Sequence, residues 1–145
     1  MTIKTFKGQL ADGGQDQIYL AGGDGSTGFR IAKFQIMSQE PYGGGSGEHC
    51  VKIYKTFQAS IDGVVNFDDD KLIGVAIINN SVGGYDNASV PVIIFDKEVI
   101  NQDIYITHNE GQAAQACNYY LELEEVRMSD AEAANVNFVA ALVHT

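Results

Sequence analysis

The chain has no tryptophan, only two prolines and two cysteines, and nine basic residues against nineteen acidic ones. Each shortage excludes something. Nine Lys and Arg with no cluster among them cannot neutralise a run of phosphates, so a nucleic-acid groove and a polybasic membrane patch are both excluded. The formal net charge of −10 makes any tight partner one that offers basic or apolar ground. The imbalance is uneven: up to Lys71 there are seven bases and nine acids, and beyond it only Lys97 and Arg127 face ten acids. The longest apolar run, around Leu72 to Ile78, is far too short to span a bilayer. Met1-Thr2-Ile3-Lys4-Thr5-Phe6-Lys7 lacks the apolar stretch of a signal peptide, so no secretion is expected. Cys50 and Cys117 lie in strand-like segments and have the reach to sit side by side in a sheet. Without a secretion signal, two buried reduced thiols are expected rather than a disulfide.

What is present suits one folded domain over residues 1–145, with 45% hydrophobic residues and 19% charged. Sixteen glycines, with Asn and Asp, cut the chain into short strands. Val51, Ile53 and Phe57 alternate with Lys52, Tyr54 and Thr56, the pattern of a half-buried strand with one wet face. Tyr119, Leu121 and Leu123 alternate in the same way with Tyr120, Glu122 and Glu124. Leu72–Ile78 and Val92–Phe95 are continuous apolar runs, expected of strands covered on both faces, and Ile104 and Ile106 flank Tyr105 in another. Ile3–Leu10 and Gln17–Leu20 are weaker strands. Phe29 and Ile31 share one parity while Phe34 and Ile36 have the other. Either that strand is buried on both faces or a bulge near Ala32-Lys33 flips its register, and the bulge lets Arg30, Lys33 and Gln35 reach water.

These strands predict an all-β fold, an antiparallel β-sandwich of jelly-roll-like or Ig-like kind, with a short C-terminal helix. The helix is read from residues 129–143. Ser129-Asp130-Ala131-Glu132 has the form of a capping box, and Val136, Val139, Ala140 and Val143 would line one face with Phe138 and Leu142 beside it. A final strand or arm is the alternative.

No motif for chemistry survives its own requirements. Gly23, Gly25 and Gly28 spell G-x-G-x-x-G, but a strand-like segment follows where a dinucleotide site needs a helix N-terminus. Gly43-Gly44-Gly45-Ser46-Gly47 lacks the residues of a phosphate loop and of a nucleophile elbow. His49, His108 and His144 are far apart in sequence. His108 with Glu110 gives H-x-E, but the Pro-Cys-x-x-Cys half of a zinc deaminase site is missing and Cys117 stands alone. Asp68, Asp69 and Asp70 read as a solvated turn, not a calcium loop. Glu122 and Glu124, with Lys or Arg across the strand, read as a cross-strand ion row rather than a glycosidase pair. The expectation is therefore no catalytic residue, no cofactor and no metal, and a protein that is not an enzyme.

The segments GFRIAKFQIM (Gly28–Met37), VKIYKTF (Val51–Phe57), IIFDKEVINQDIYITH (Ile93–His108) and NYYLELEEVRM (Asn118–Met128) resemble small virion structural proteins of tailed phages that infect marine bacteria, of the cyanophage and pelagiphage kind. The most specific stretches are Asn101–Tyr105 and Asn118–Glu122, and the likeness runs to about Met128. The C-terminal segment departs from the family pattern: Ala133-Ala134 and Phe138–Val143 stand where the relatives carry a leucine- and acid-rich helix. The resemblance implies a non-enzymatic viral structural protein, made in the host cytoplasm and housed in the virion. A capsid decoration (cement) protein bound to the assembled major capsid shell is the first expectation, and a tail, adaptor or head-fibre component with a receptor- or glycan-binding role is the second. It also implies other virion proteins as partners and a homo-oligomer. Contact is expected at Ile3, Lys4, Phe6 and Lys7 of an N-terminal arm, which is otherwise simply the first strand of the domain. Tyr42, Tyr85, Phe138 and Leu142 are the other expected contacts.

Overall fold

Period-two alternation in residues 117–127 makes the strand around which half of the molecule is built. The computed structural model describes residues 2–20, 26–41, 47–80 and 91–128. Eight strands follow in order: β1 (Ile3–Leu10), β2 (Gln15–Ile18), β3 (Thr27–Ser38), β4 (Gly47–Tyr54), β5 (Leu72–Asn80), β6 (Val92–Phe95), β7 (Ile104–Glu110) and β8 (Cys117–Arg127). They form two antiparallel sheets, one ordered β1-β8-β3 and the other β2-β7-β4-β5-β6. The fold is an all-β sandwich, as the spacing of apolar residues predicts, and no helix occurs among the described residues. The expected C-terminal helix with Phe138 and Leu142, and the loops holding Tyr42 and Tyr85, lie outside the described residues.

The core is where the two inner faces meet. Cys117, Tyr119, Leu121 and Leu123 point inward from β8, and their odd-numbered phase is unbroken. Phe34 and Leu121 face Ile53, Ile104 and Ile106 of the larger sheet, all essentially without solvent contact. Each such side chain contributes about 1.5–3 kcal/mol of transfer free energy. The bulge in β3 is present where the parity break places it: Ile31 pairs with Leu123 and Lys33 with Glu122, leaving Ala32 as the extra residue. Phe29 and Ile31 before it and Phe34 and Ile36 after it are buried, while Lys33 and Gln35 are exposed. Before the bulge, Phe29 exchanges two backbone hydrogen bonds with Ile100, of 2.6 and 2.8 Å, which stitches the edge of β3 to the segment before β7.

Three expectations need correction. The outer face of β4 is not wet, because residues 55–71 fold back over it. Lys52 is 2% exposed, and its ammonium donates to Asp62 Oδ1 at 3.0 Å and to the Val64 carbonyl at 2.6 Å. Tyr54, Leu72 and Val75 pack with Val65 in a second small cluster beneath this segment, and Phe57 is the residue left outside. Strand β6 is not covered on both faces: it is an edge strand, and Val92 and Ile94 are exposed. The third concerns Cys50 and Cys117. They stand on different sheets rather than side by side, and both are buried free thiols, as expected of a reduced pair.

The N-terminal residues are the domain's first strand. Strand β1 pairs along its whole length with β8, from Ile3 opposite Glu124 to Leu10 opposite Cys117. Its other edge pairs with no strand among the described residues.

Candidate functional site

Two features of the sandwich bear on function: a polar cluster inside one end, and the outer face of the smaller sheet. The inner cluster arises because two strands keep their inward phase while changing chemistry. Along β4 the inward positions run Ile53, Val51, His49, and along the neighbouring β7 they run Ile104, Ile106, His108, Glu110. The last inward residues of both strands are therefore polar. His49 and His108 are completely buried, their rings stack with centroids 5.1 Å apart, and His49 Nδ1 lies 2.9 Å from His108 Nε2.

The proton positions follow from the partners. His108 Nδ1 is 3.0 Å from the Ala11 carbonyl, which can only accept, so that nitrogen carries the hydrogen and Nε2 offers a lone pair. His49 Nδ1–H donates to that lone pair, which leaves His49 Nε2 as an acceptor with no partner. Burial and the neighbouring His108 push the His49 pKa below its ordinary value, against the pull of Glu110 and Asp12. The folded protein therefore favours a neutral His49.

Cys117 enters the same space from β8 of the facing sheet. One ligating atom from each of His49, His108 and Cys117 lies within 4.8 Å of the other two. The thiol has the carbonyls of Met37 and Asn118 at 3.6 Å each, and burial pushes its pKa up to about 12. A thiol kept protonated in this way is a poor nucleophile.

Glu110 reaches His49 through its charge, and its hydrogen bonds go to backbone amides. Its Oε1 accepts the backbone N–H groups of Glu48 and Gln112, both at 2.8 Å, and its Oε2 accepts those of Ala113 at 2.6 Å and Gln115 at 3.2 Å. Burial alone would raise its pKa, but these four amides hold it at about 2. The carboxylate thus ties residues 111–115 across the end of β4, above the histidine pair. The H-x-E pair His108 and Glu110 is a ring facing inward and a turn acceptor, not an acid–base couple. Gly47 closes the cluster: a Cβ there would lie 2.7 Å from His49 Nε2 and 3.4 Å from Gln115 Oε1. Gln115 Oε1 is, like His49 Nε2, a buried acceptor with no donor.

The outer face of β1-β8-β3 is built from the alternate phase. Register places Lys7, Tyr120 and Gln35 in one row and Gln9, Asn118 and Met37 in the next. Arg30 pairs with Glu124 at 3.1 Å, the Tyr120 hydroxyl donates to Glu122 at 2.7 Å, and Lys33 lies 6.0 Å from the Tyr120 ring. Of the expected cross-strand ion row, Arg30 with Glu124 forms; Glu122 stands opposite Lys33 in register and takes its hydrogen bond from Tyr120. Beside it a groove of about 760 Å³ is lined by Lys7, Gln35, Met37, Pro91, Ile93 and Tyr120, largely apolar, with Met37 56% exposed.

Of the contact residues expected from sequence, Ile3, Lys4 and Lys7 are exposed and Phe6 is half-buried against the core. Lys7 borders the groove. Lys4 instead lies 5.4 Å from the Phe29 ring, and Phe6 belongs to the inner face. Tyr42, Tyr85, Phe138 and Leu142 lie outside the described residues, as does His144. The Asp68–Asp70 run is a turn in which Asp69 Oδ1 accepts the Lys71 amide.

Sequence spacing keeps His49, His108 and Cys117 apart, and the fold brings them together. The signal that points to this is parity: each continues the inward apolar phase of its strand. No family model matches the chain, and neither does any curated protein or solved structure.

Proposed function

We propose that this chain is a non-enzymatic structural protein of a phage virion, a capsid decoration (cement) protein that binds the assembled major capsid shell. The observation that carries the reading is the outer side of the smaller sheet. There the edge of β1 that pairs with no strand among the described residues, with Lys7, adjoins an open groove whose apolar part is Ile36, Met37, Pro91 and Ile93. An acidic chain with an open apolar groove on this face offers contact to apolar or basic ground. The resemblance of Gly28–Met37, Val51–Phe57, Ile93–His108 and Asn118–Met128 to virion proteins supports the same reading, since these segments supply β3, β4, β7 and β8.

Binding in this mode adds backbone pairing at the β1 edge to side-chain contact in the groove, and repetition over a lattice multiplies a modest single affinity. A symmetric homo-oligomer of the chain is compatible with it. Co-sedimentation of the purified protein with isolated heads and isolated tails of the source particle tests the proposal. Saturable binding to heads supports it, and binding to tails alone replaces it with an adaptor or receptor-binding role.

A further inference from the structure

We propose that His49, His108 and Cys117 form an internal binding site for one thiophilic d10 metal ion, Zn²⁺ or Cu⁺. The site is independent of the outer-face contacts. Three strands from two sheets deliver one ligating atom each into a space under 5 Å across, with every ligand fully buried. Two imidazoles and a thiolate are the donor set such ions select over magnesium or calcium. The orientation of His108 is already that of a metal ligand: its Nδ1–H is fixed on the Ala11 carbonyl, and its Nε2 lone pair points into the cluster.

The second observation is the pair of unpartnered acceptors. Without an ion, the His49 proton sits on Nδ1, and both His49 Nε2 and Gln115 Oε1 are buried acceptors beside Gly47 with nothing to accept. Two such buried orphans are costly to the fold. A metal ion turns the first of them from an acceptor into a donor, which the second can take. When His49 Nδ1 binds the ion, the ring proton must move to Nε2, and Gln115 Oε1, on the other side of Gly47 and not hydrogen-bonded to Nε2, accepts it once that side chain turns toward the ring. The site then has the Ala11 carbonyl behind His108, as it stands, and the Gln115 amide oxygen behind His49 after that turn.

The proton balance is simple. Cys117 S–H gives its proton to solvent and its sulfur binds the ion, His49 exchanges its Nδ1 proton for one at Nε2, and nothing is oxidised or reduced. One proton leaves per ion bound. The His49–His108 hydrogen bond breaks, and the two nitrogens separate from 2.9 Å to about 3.4 Å, as two ligands of one ion at ~2.0 Å require. A Cu⁺–thiolate unit is neutral in this interior, whereas Zn²⁺ leaves one positive charge facing Glu110. Direct competition between the two ions decides which is held.

The test uses the whole chain, stripped with a chelator under reducing, anaerobic conditions. Co²⁺ serves as the coloured probe for Zn²⁺, and Cu⁺ is added from a buffered chelate. One equivalent of Co²⁺ should produce a thiolate-to-cobalt charge-transfer band that Zn²⁺ or Cu⁺ removes and Ca²⁺ does not. Cys117→Ser, nearly isosteric, should abolish the band and weaken Zn²⁺ or Cu⁺ binding about 100-fold or more, and Gln115→Ala about 10-fold. If Cys117→Ser fails to fold, Cys117→Ala takes its place. Nitrogen-15 spectra of the loaded chain should place the His49 proton on Nε2. A His49 proton still on Nδ1 in the loaded chain would mean that Nδ1 does not bind the ion, and would overturn the proposal. A band that survives in the Cys117 variant, or no band at all, overturns it too.

Discussion

The Tyr119 hydroxyl donates a 2.8 Å hydrogen bond to Asp16 Oδ2, and that bond crosses from one sheet of the sandwich to the other. Tyr119 stands on β8 and Asp16 on β2, so the contact closes the interior on the side where β1 meets β2. Gly8 makes room for it, since a Cβ at that position would lie 2.8–3.0 Å from the end of the ring. Tyr119→Phe should therefore cost about 1–2 kcal/mol by leaving a half-buried carboxylate without its donor. Gly8→Ala should cost about 1–3 kcal/mol by displacing the ring. Urea unfolding with an unchanged slope checks both, and an additive double variant would show that the two residues are not coupled.

Glu110 sets an acid limit on the fold. Its pKa of about 2 lies below the ordinary 4.5, so its contribution is fully present above pH 4.5 and is lost as the pH falls toward 2. The shift corresponds to about 3 kcal/mol. Asp12 accepts the Glu110 backbone amide and His49 is its register partner on β4, so the comparison with Glu110→Gln isolates the carboxylate's share. The stability gap between wild type and variant should be widest at pH 7 and should narrow at pH 3. An equal gap at both values would show that the charge does not matter.

Lys52 holds the cover of the larger sheet in place. Lys52→Ala removes both donors to residues 62–64 and strands the Val64 carbonyl, at a cost of about 2–3 kcal/mol. Hydrogen exchange should show the amides of residues 56–70 losing protection before those of β8. Uniform loss across both would mean that the segment opens only with the whole domain.

Ala32 is a spacer, and its length matters more than its side chain. Replacing it by Ser should change stability by no more than ~0.5 kcal/mol, since the residue is exposed. Deleting it would drive Phe34 and Ile36 outward, or Phe29 and Ile31, and the variant should not fold. A folded deletion variant, seen by dispersed NMR amide signals, would mean that the register slips without loss.

The parity of Phe29, Ile31, Phe34 and Ile36 makes the bulge legible in the amino-acid sequence, because a strand with one buried face has a single permitted phase. The alternation of β8 is legible for the same reason. The burial of Lys52 and Tyr54 is not, since the segment that covers them is a loop without periodicity. The exposure of Val92 and Ile94 is not either, because a run of apolar residues reads the same at an edge as at the centre of a sheet. The meeting of His49, His108 and Cys117 is half legible. Strand phase turns each of them inward, but no local signal says that β4, β7 and β8 bring their polar ends to the same end of the sandwich.

The most direct measurement is saturation binding of the purified chain to isolated expanded heads, followed by sedimentation, for the wild type and for Met37→Glu. The wild type should saturate at a stoichiometry that matches capsid lattice positions. The variant, unchanged in its unfolding midpoint, should bind at least about tenfold more weakly, the effect of one charge placed in an apolar contact. Heads that take up no wild-type protein at micromolar concentration, or that bind Met37→Glu equally well, would contradict the account.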